Sequence, residues 1–170
     1  MKEIIYNNDN ISENEINRIV RRAKVLIVNS EGKIMLAKSS NNYYLVGGHA
    51  DNDENDFDCL EREIEEEMGV KIKMDPVQPF LRIKYLNKDY PKEGMNTMSV
   101  GNYYILHSDI KPNNKKRKLT KEEANGDFHI ESFSIDKLLP VLFDSLNTST
   151  RHGAVLDTIE AVKEYINISN

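Results

Sequence analysis

The run from Asn55 to Gly69, NDFDCLEREIEEEMG, constrains this chain more than any other stretch. Five of the seven residues from Glu61 to Glu67 are glutamate. Phe57, Leu60, Ile64 and Met68 recur three or four apart, so on a wheel of about 100° per residue they form one apolar stripe. The spacing predicts a helix from Asn55 or Asp56 to Met68, with Gly69 placed for a left-handed C-cap. Its stripe must face a core. On the same wheel Glu63, Glu66 and Glu67 cluster on one flank, and Glu61 and Glu65 lie on the other. Each like-charge neighbour pair costs about 0.2–0.5 kcal/mol, and Arg62 is the only basic residue between Phe57 and Met68. Carboxylates on adjacent turns suit a hard divalent cation such as Mg²⁺. A solvated acidic face is the simpler alternative, and the helix alone does not separate the two.

Around this helix the pattern is mixed. Ser12 with Glu15 makes a capping-box pattern, followed by Ile16, Ile19 and Val20, which predicts a short helix. Residues 1–20 read as an N-terminal appendage to a single domain spanning 21–170. AKVLIVN and KIMLAK read as a strand pair joined at Ser30-Glu31-Gly32, and YYLV as a third strand running into Gly47-Gly48. VKIKM, PFLRIKYL, MSVGNYYILHSDI and DFHIESFS read as later strands. IDKLLPVLFDSL reads as a turn and a short helix restarting at Pro140. A last helix over roughly 154–166 carries Val155, Ile159, Val162 and Ile166 at helical spacing. The expected class is α+β, a mixed sheet with helices on both sides.

The chain's 170 residues suffice for one full core. A net charge of −5 argues against general DNA or membrane-surface binding, and would repel an anionic substrate unless cations intervene. The single cysteine, Cys59, excludes an intrachain disulfide and a cysteine zinc cluster, and fits a reducing compartment. MKEIIYNNDN lacks the apolar run of a signal peptide, and no stretch approaches the roughly 18 apolar residues of a membrane span. The expectation is a cytoplasmic protein with no membrane or DNA partner. A homodimer is compatible with it.

Gly48, five residues, Glu54, seven residues, then Arg62-Glu63-Ile64-x-Glu66-Glu67-x-Gly69-Val70 resembles the Nudix box, Gx5Ex7REUxEExGU with U aliphatic, at every defined position. The resemblance implies a Nudix-type α/β/α sandwich around a mixed sheet. It also implies hydrolysis of a nucleoside diphosphate linked to another moiety, by water attack on phosphorus, with Mg²⁺ or Mn²⁺ as cofactor. By the same resemblance Glu66 and Glu67 match the metal-binding pair, and Glu63 a further ligand or the general base. Gly47 sits where a backbone carbonyl completes the metal shell. Arg62 and Glu54 match the pair that braces the loop against the helix. Two departures touch the loop and no ligand: Val46 stands where many members have proline, and Asp53 where glycine is common.

Outside the box the candidates are weaker. Glu122 and Glu123, with Glu131 behind them, are candidates for an additional carboxylate. His49, Arg82, Tyr85 and Tyr90 are candidates for substrate contact. Glu61, Glu65 and the run Lys115–Lys118 read as solvated charge, the run having a functional alternative as a lure for polyphosphate or an RNA 5′ end. Cys59 reads as a packed residue. The default substrate is a nucleoside triphosphate or another small nucleotide. The alternative function is a non-catalytic nucleotide-binding regulator, which an intact box disfavours.

Overall fold

The computed structural model describes residues 1–169, apart from the side chain of Glu122. Among them, eight strands form one mixed sheet. They are β1 (Lys2–Tyr6), β2 (Arg18–Val28), β3 (Ile34–Ser39), β4 (Asn42–Tyr44), β5 (Val46–His49), β6 (Leu81–Asn87), β7 (Thr97–His107) and β8 (His129–Phe133). The helices are α1 (Asp56–Met68), α2 (Lys121–Asn125), α3 (Ile135–Thr148) and α4 (His152–Ser169). The sheet runs β1-β6-β7-β2-β3-β4, with β8 on β3. β1 pairs parallel with β6 and β2 parallel with β7. β2 divides its second edge: Ile27 and Val28 pair with β3, while Arg22 to Val25 pair with β5.

This division places the glycines. β5 brings Gly47 opposite Lys24 and Gly48 opposite Ala23, at the end of the sheet from which α1 departs. Helix α1 begins where the Asn55 side chain accepts from the backbone N–H of Phe57 and Asp58. It ends at Gly69 in the left-handed region, φ 69°. A Cβ there would collide with the Asn113 carbonyl, so glycine serves both the turn and the packing of the following loop. Leu60, Ile64 and Met68 are fully buried against Ala23, Val25 and Ile27 of one sheet face. Leu26 and Val28 point to the opposite face, where Leu138, Leu142, Val155 and Ile159 of α3 and α4 cover them. The α+β class and the helices on both faces match the expectation.

Several local expectations are corrected. The segment after Ser12 makes only a 3₁₀ turn, Glu13–Glu15, although the reciprocal Ser12/Glu15 capping box is present. Arg18 to Val20 already pair with β7, so sheet hydrogen bonds take the backbone that a helix would need. The boundary at residue 20 falls inside β2, and β1 adds an edge strand. VKIKM is not a strand: no neighbour offers it a ladder, and its lysines lie along α1. YYLV divides at Leu45 between β4 and β5. Helix α3 continues through Pro140, because Leu138 and Leu142 on either side share one buried stripe. No helix among the described residues is long and apolar enough to cross a membrane.

Candidate active site

Three neighbouring strands change character along one row of side chains. On the face toward α4, β2 runs from Val28 and Leu26 to Lys24 and Arg22. On the same face β6 runs from Leu81 and Ile83 to Tyr85 and Asn87, and Tyr103 is followed by Ser99 on β7. The polar end of these rows floors a cavity of about 750 Å³. Gly153, Ala154, Asp157 and Thr158 of α4 border it from above, and Gly47, Gly48, Glu63, Glu66 and Glu67 close the end toward α1.

At that end Arg62 organises the carboxylates. Its Nε and Nη2 donate to the two oxygens of Glu54 at 2.6 and 3.0 Å. Its Nη1 donates to Glu63 Oε1 at 2.9 Å and Glu66 Oε2 at 3.2 Å, and Nη2 also donates to the His49 carbonyl at 3.0 Å. One planar guanidinium thus ties the loop after β5 to α1, a geometry an ammonium could not reproduce. Glu54 also accepts from the Asp51 N–H at 3.0 Å. Hydrogen bonding to Arg62 holds the Glu54 carboxyl below its ordinary value.

Glu67 is only 3% exposed, and its Oε2 accepts from the Gly47 N–H at 3.2 Å. Burial raises the pKa of both Glu67 and Glu63, against the pull of Lys24 and, for Glu63, of Arg62. Gly48 is what lets Glu63 lie there, since a Cβ at that position would collide with its carboxylate. Lys24, partly buried, donates from Nζ to the Gly47 carbonyl and to the Leu45 carbonyl, the latter at 3.2 Å.

Among the described residues, no three His, Cys, Asp or Glu side chains converge as a metal cluster. Arg62 Nη1 instead occupies one oxygen each of Glu63 and Glu66. The donor set nevertheless fits a divalent cation. It is made of carboxylate and carbonyl oxygens, it carries excess negative charge, and beside it the buried Tyr44 hydroxyl has no hydrogen-bond partner among the described residues.

The remaining candidates divide. His49, Tyr85, Tyr90 and Glu123 line the cavity. Tyr85 and Tyr103 both donate to the Asp157 carboxylate, Tyr103 at 3.0 Å. Glu123 accepts from the Thr120 N–H and hydroxyl at 2.7 and 2.9 Å. Glu122 lies outside the described side chains. Arg82 points elsewhere, donating to Asn102 at 2.8 Å beside Glu3. Glu131 is held by Tyr43 and His129, away from the cavity. Cys59 is buried, and burial pushes its thiol up to about 11, so packing is its role.

Glu61 and Glu65 are not simply solvated. Glu61 accepts from the Met74 N–H at 2.8 Å and Lys73 at 3.0 Å, and Glu65 from Lys118 at 2.8 Å. The basic run is likewise used: Arg117 donates to the Phe128 carbonyl at 3.0 Å, and the Lys118 N–H to the Glu66 carbonyl at 2.9 Å.

Sequence reasoning missed Lys24, Arg22, Tyr103, Arg151 and Asp157, all of which line the cavity. A lysine inside the otherwise apolar run AKVLIV was a usable signal, because an ammonium in a buried strand needs oxygen partners.

The chain matches the NUDIX domain family over residues 18–148, well over half its length. No curated protein matches it. Among solved structures it resembles a MutT NUDIX hydrolase from Burkholderia pseudomallei, with 20% identity over 71% of this chain and 86% of that one, at a TM-score of 0.50. A MutT protein from Methanosarcina mazei Go1 shares 21% identity over 87% of this chain and 95% of that one, at a TM-score of 0.47.

Proposed function

The chain belongs to the NUDIX domain family of hydrolases, which act on pyrophosphate bonds, and on that premise we propose a Mg²⁺- or Mn²⁺-dependent pyrophosphohydrolase whose substrate is a nucleoside triphosphate or another small nucleotide. The observation that carries this reading is the Arg62 clamp. It presents Glu63 and Glu66 beside buried Glu67 at one end of a cavity of nucleotide size. Tyr85, Tyr90 and Tyr103 offer the cavity aromatic surface for a base, and Arg22, Lys24 and Arg151 offer positive charge for phosphates. His49 stands at the rim as a further phosphate contact.

In this reading Glu63, Glu66, Glu67 and the Gly47 carbonyl hold the metal, with Glu123 as an additional carboxylate. When bound, the cation neutralises phosphate charge, polarises phosphorus and makes the attacking water more acidic. The protein's own groups do the rest. Arg62 and Glu54 fix the loop against α1, so that the Gly47 and Gly48 backbone keeps its distance from the carboxylates. Glu63 keeps Oε1 on Arg62, leaving Oε2 to take the proton of the attacking water or to join the metal shell. The bond from water oxygen to phosphorus forms as the bridging P–O bond breaks, and the leaving phosphate carries the electron pair. A cytoplasmic setting suits the reduced, buried Cys59.

A phosphate-release screen over nucleoside triphosphates, sugar nucleotides, dinucleoside polyphosphates and capped RNA tests the reading. Turnover should require Mg²⁺ or Mn²⁺ and vanish in chelator. Metal a hundredfold above its dissociation constant should add about 2.7 kcal/mol of stability. Full activity in excess chelator would overturn the metal dependence.

A further inference from the structure

We infer that the Lys24 side chain is a resident counter-ion for the metal position: its ammonium holds the Gly47 and Leu45 carbonyls in the metal-free protein, and a divalent cation must displace it to bind. The inference rests on the metal reading above. Lys24 enters from the strand directly opposite Gly47 in the β2/β5 register. Its Nζ meets two backbone carbonyls, one of them the carbonyl assigned to the metal. The charges of Glu67 and Glu63 act on it as well, and Glu67 is anchored on the N–H of that same glycine. Two backbone carbonyls on one ammonium, within the field of two carboxylates, make a cation position already filled by the chain. A fully desolvated carboxylate such as Glu67 is costly without a counter-charge. Lys24 supplies one when metal is absent, and an occupant that binds the same oxygens lowers the apparent metal affinity by the fraction of time it is seated.

Arg22 provides the control. It carries the same charge, lines the same cavity and lies on the same strand face, but its guanidinium donates to Ser99 rather than to Gly47. A general field effect on metal binding should therefore appear in both Lys24→Met and Arg22→Met. Displacement should appear only in Lys24→Met.

Mn²⁺ binding, measured by electron paramagnetic resonance on the full chain without nucleotide, should tighten on the order of tenfold in Lys24→Met and clearly less in Arg22→Met. In the wild type, acylation of Lys24 read by mass spectrometry should rise severalfold when Mn²⁺ is added, relative to Lys33 in the distant β2–β3 turn. That second measurement decides the matter if Lys24→Met does not fold. Equal tightening in both variants, or Lys24 labelling unchanged or reduced by metal, overturns the counter-ion role and leaves the metal reading standing. No Mn²⁺ binding by wild type or variants overturns the metal reading and this inference together.

Discussion

The two flanks of α1 carry the same residue in opposite circumstances. Glu63 and Glu67, toward the cavity, have carboxyls raised by burial. Glu61 and Glu65, on the outer flank, have carboxyls lowered by hydrogen bonds from the Met74 N–H and from Lys118, respectively. The outer glutamates are ionised because partners favour the charge, so they support the fold. Burial opposes ionisation of the inner ones, so their charged form gains more from a nearby positive charge than that of the outer pair does. A sequence written with one letter at all four positions therefore encodes two electrostatic environments, partnered on the outer side and buried on the inner. The deciding variable is which strand or loop lies opposite.

The widest separation between the flanks should appear in catalysis. Glu67→Gln and Glu65→Gln remove the same charge two residues apart and preserve side-chain size. Glu67→Gln should cut the hydrolysis rate by about 10²–10⁴-fold and weaken metal binding. Glu63→Gln should behave similarly, and Glu65→Gln should leave both unchanged. Purified variants assayed across a metal titration separate weaker binding from slower chemistry. Equal, mild effects at 65 and 67 would erase the distinction and return α1 to a uniformly acidic surface.

A smaller effect is expected where the flanks meet the loop. Arg62→Ala breaks charged hydrogen bonds to Glu54, Glu63 and Glu66 together. It should lower stability by about 2–3 kcal/mol, since such bonds contribute more than neutral ones but this site is partly open to water. Turnover should fall with it. Lysine at 62 should rescue little, because it cannot grip Glu54 with two nitrogens while reaching Glu63. Denaturant midpoints and rates for the three proteins sharpen the comparison. Normal stability and rate in Arg62→Ala would mean that the clamp braces nothing.

What was legible in the sequence was local. Helix α1, its apolar stripe and its Gly69 stop follow from spacing alone, and the glycine pair and its glutamates lie within one short stretch. The cavity was not legible in that way, because its walls come from β2, β6, β7 and α4. Tyr85, Tyr103 and Asp157 meet only after β6 and β7 pair and α4 crosses them. VKIKM illustrates the opposite failure: its alternation is strand-like, yet it joins no strand, and Lys71 and Lys73 serve α1 instead. Pro140 misled because the rule that proline starts a helix ignores the buried leucines on both sides of it. At the N-terminus, Ile19 proved 60% exposed, so what read as a helix stripe was the outward face of a strand.

The smallest effect separates the outer glutamates from each other. Glu61 is 17% exposed and holds the Met74 N–H, which pins the segment after Gly69 to the helix. Glu65 is 28% exposed and, among the described residues, its carboxylate is joined to the long lysine side chains of Lys118 and Lys71. Losing charge at 61 weakens a hydrogen bond to a fixed backbone group, whereas losing it at 65 frees flexible side chains that water solvates readily. Glu61→Gln should therefore cost about 1 kcal/mol at pH 7, and Glu65→Gln should not shift the midpoint measurably. Acid provides the check. The Glu61 carboxyl lies below its ordinary value of 4.5, so its contribution is present above that pH and is lost as pH falls through the folded value. The stability gap between wild type and Glu61→Gln, measured by thermal melts in chelator, should narrow steadily below about pH 4.5, as the wild-type carboxyl takes up its proton. A gap that persists unchanged in acid would mean that the side chain's shape, and not its charge, anchors Met74.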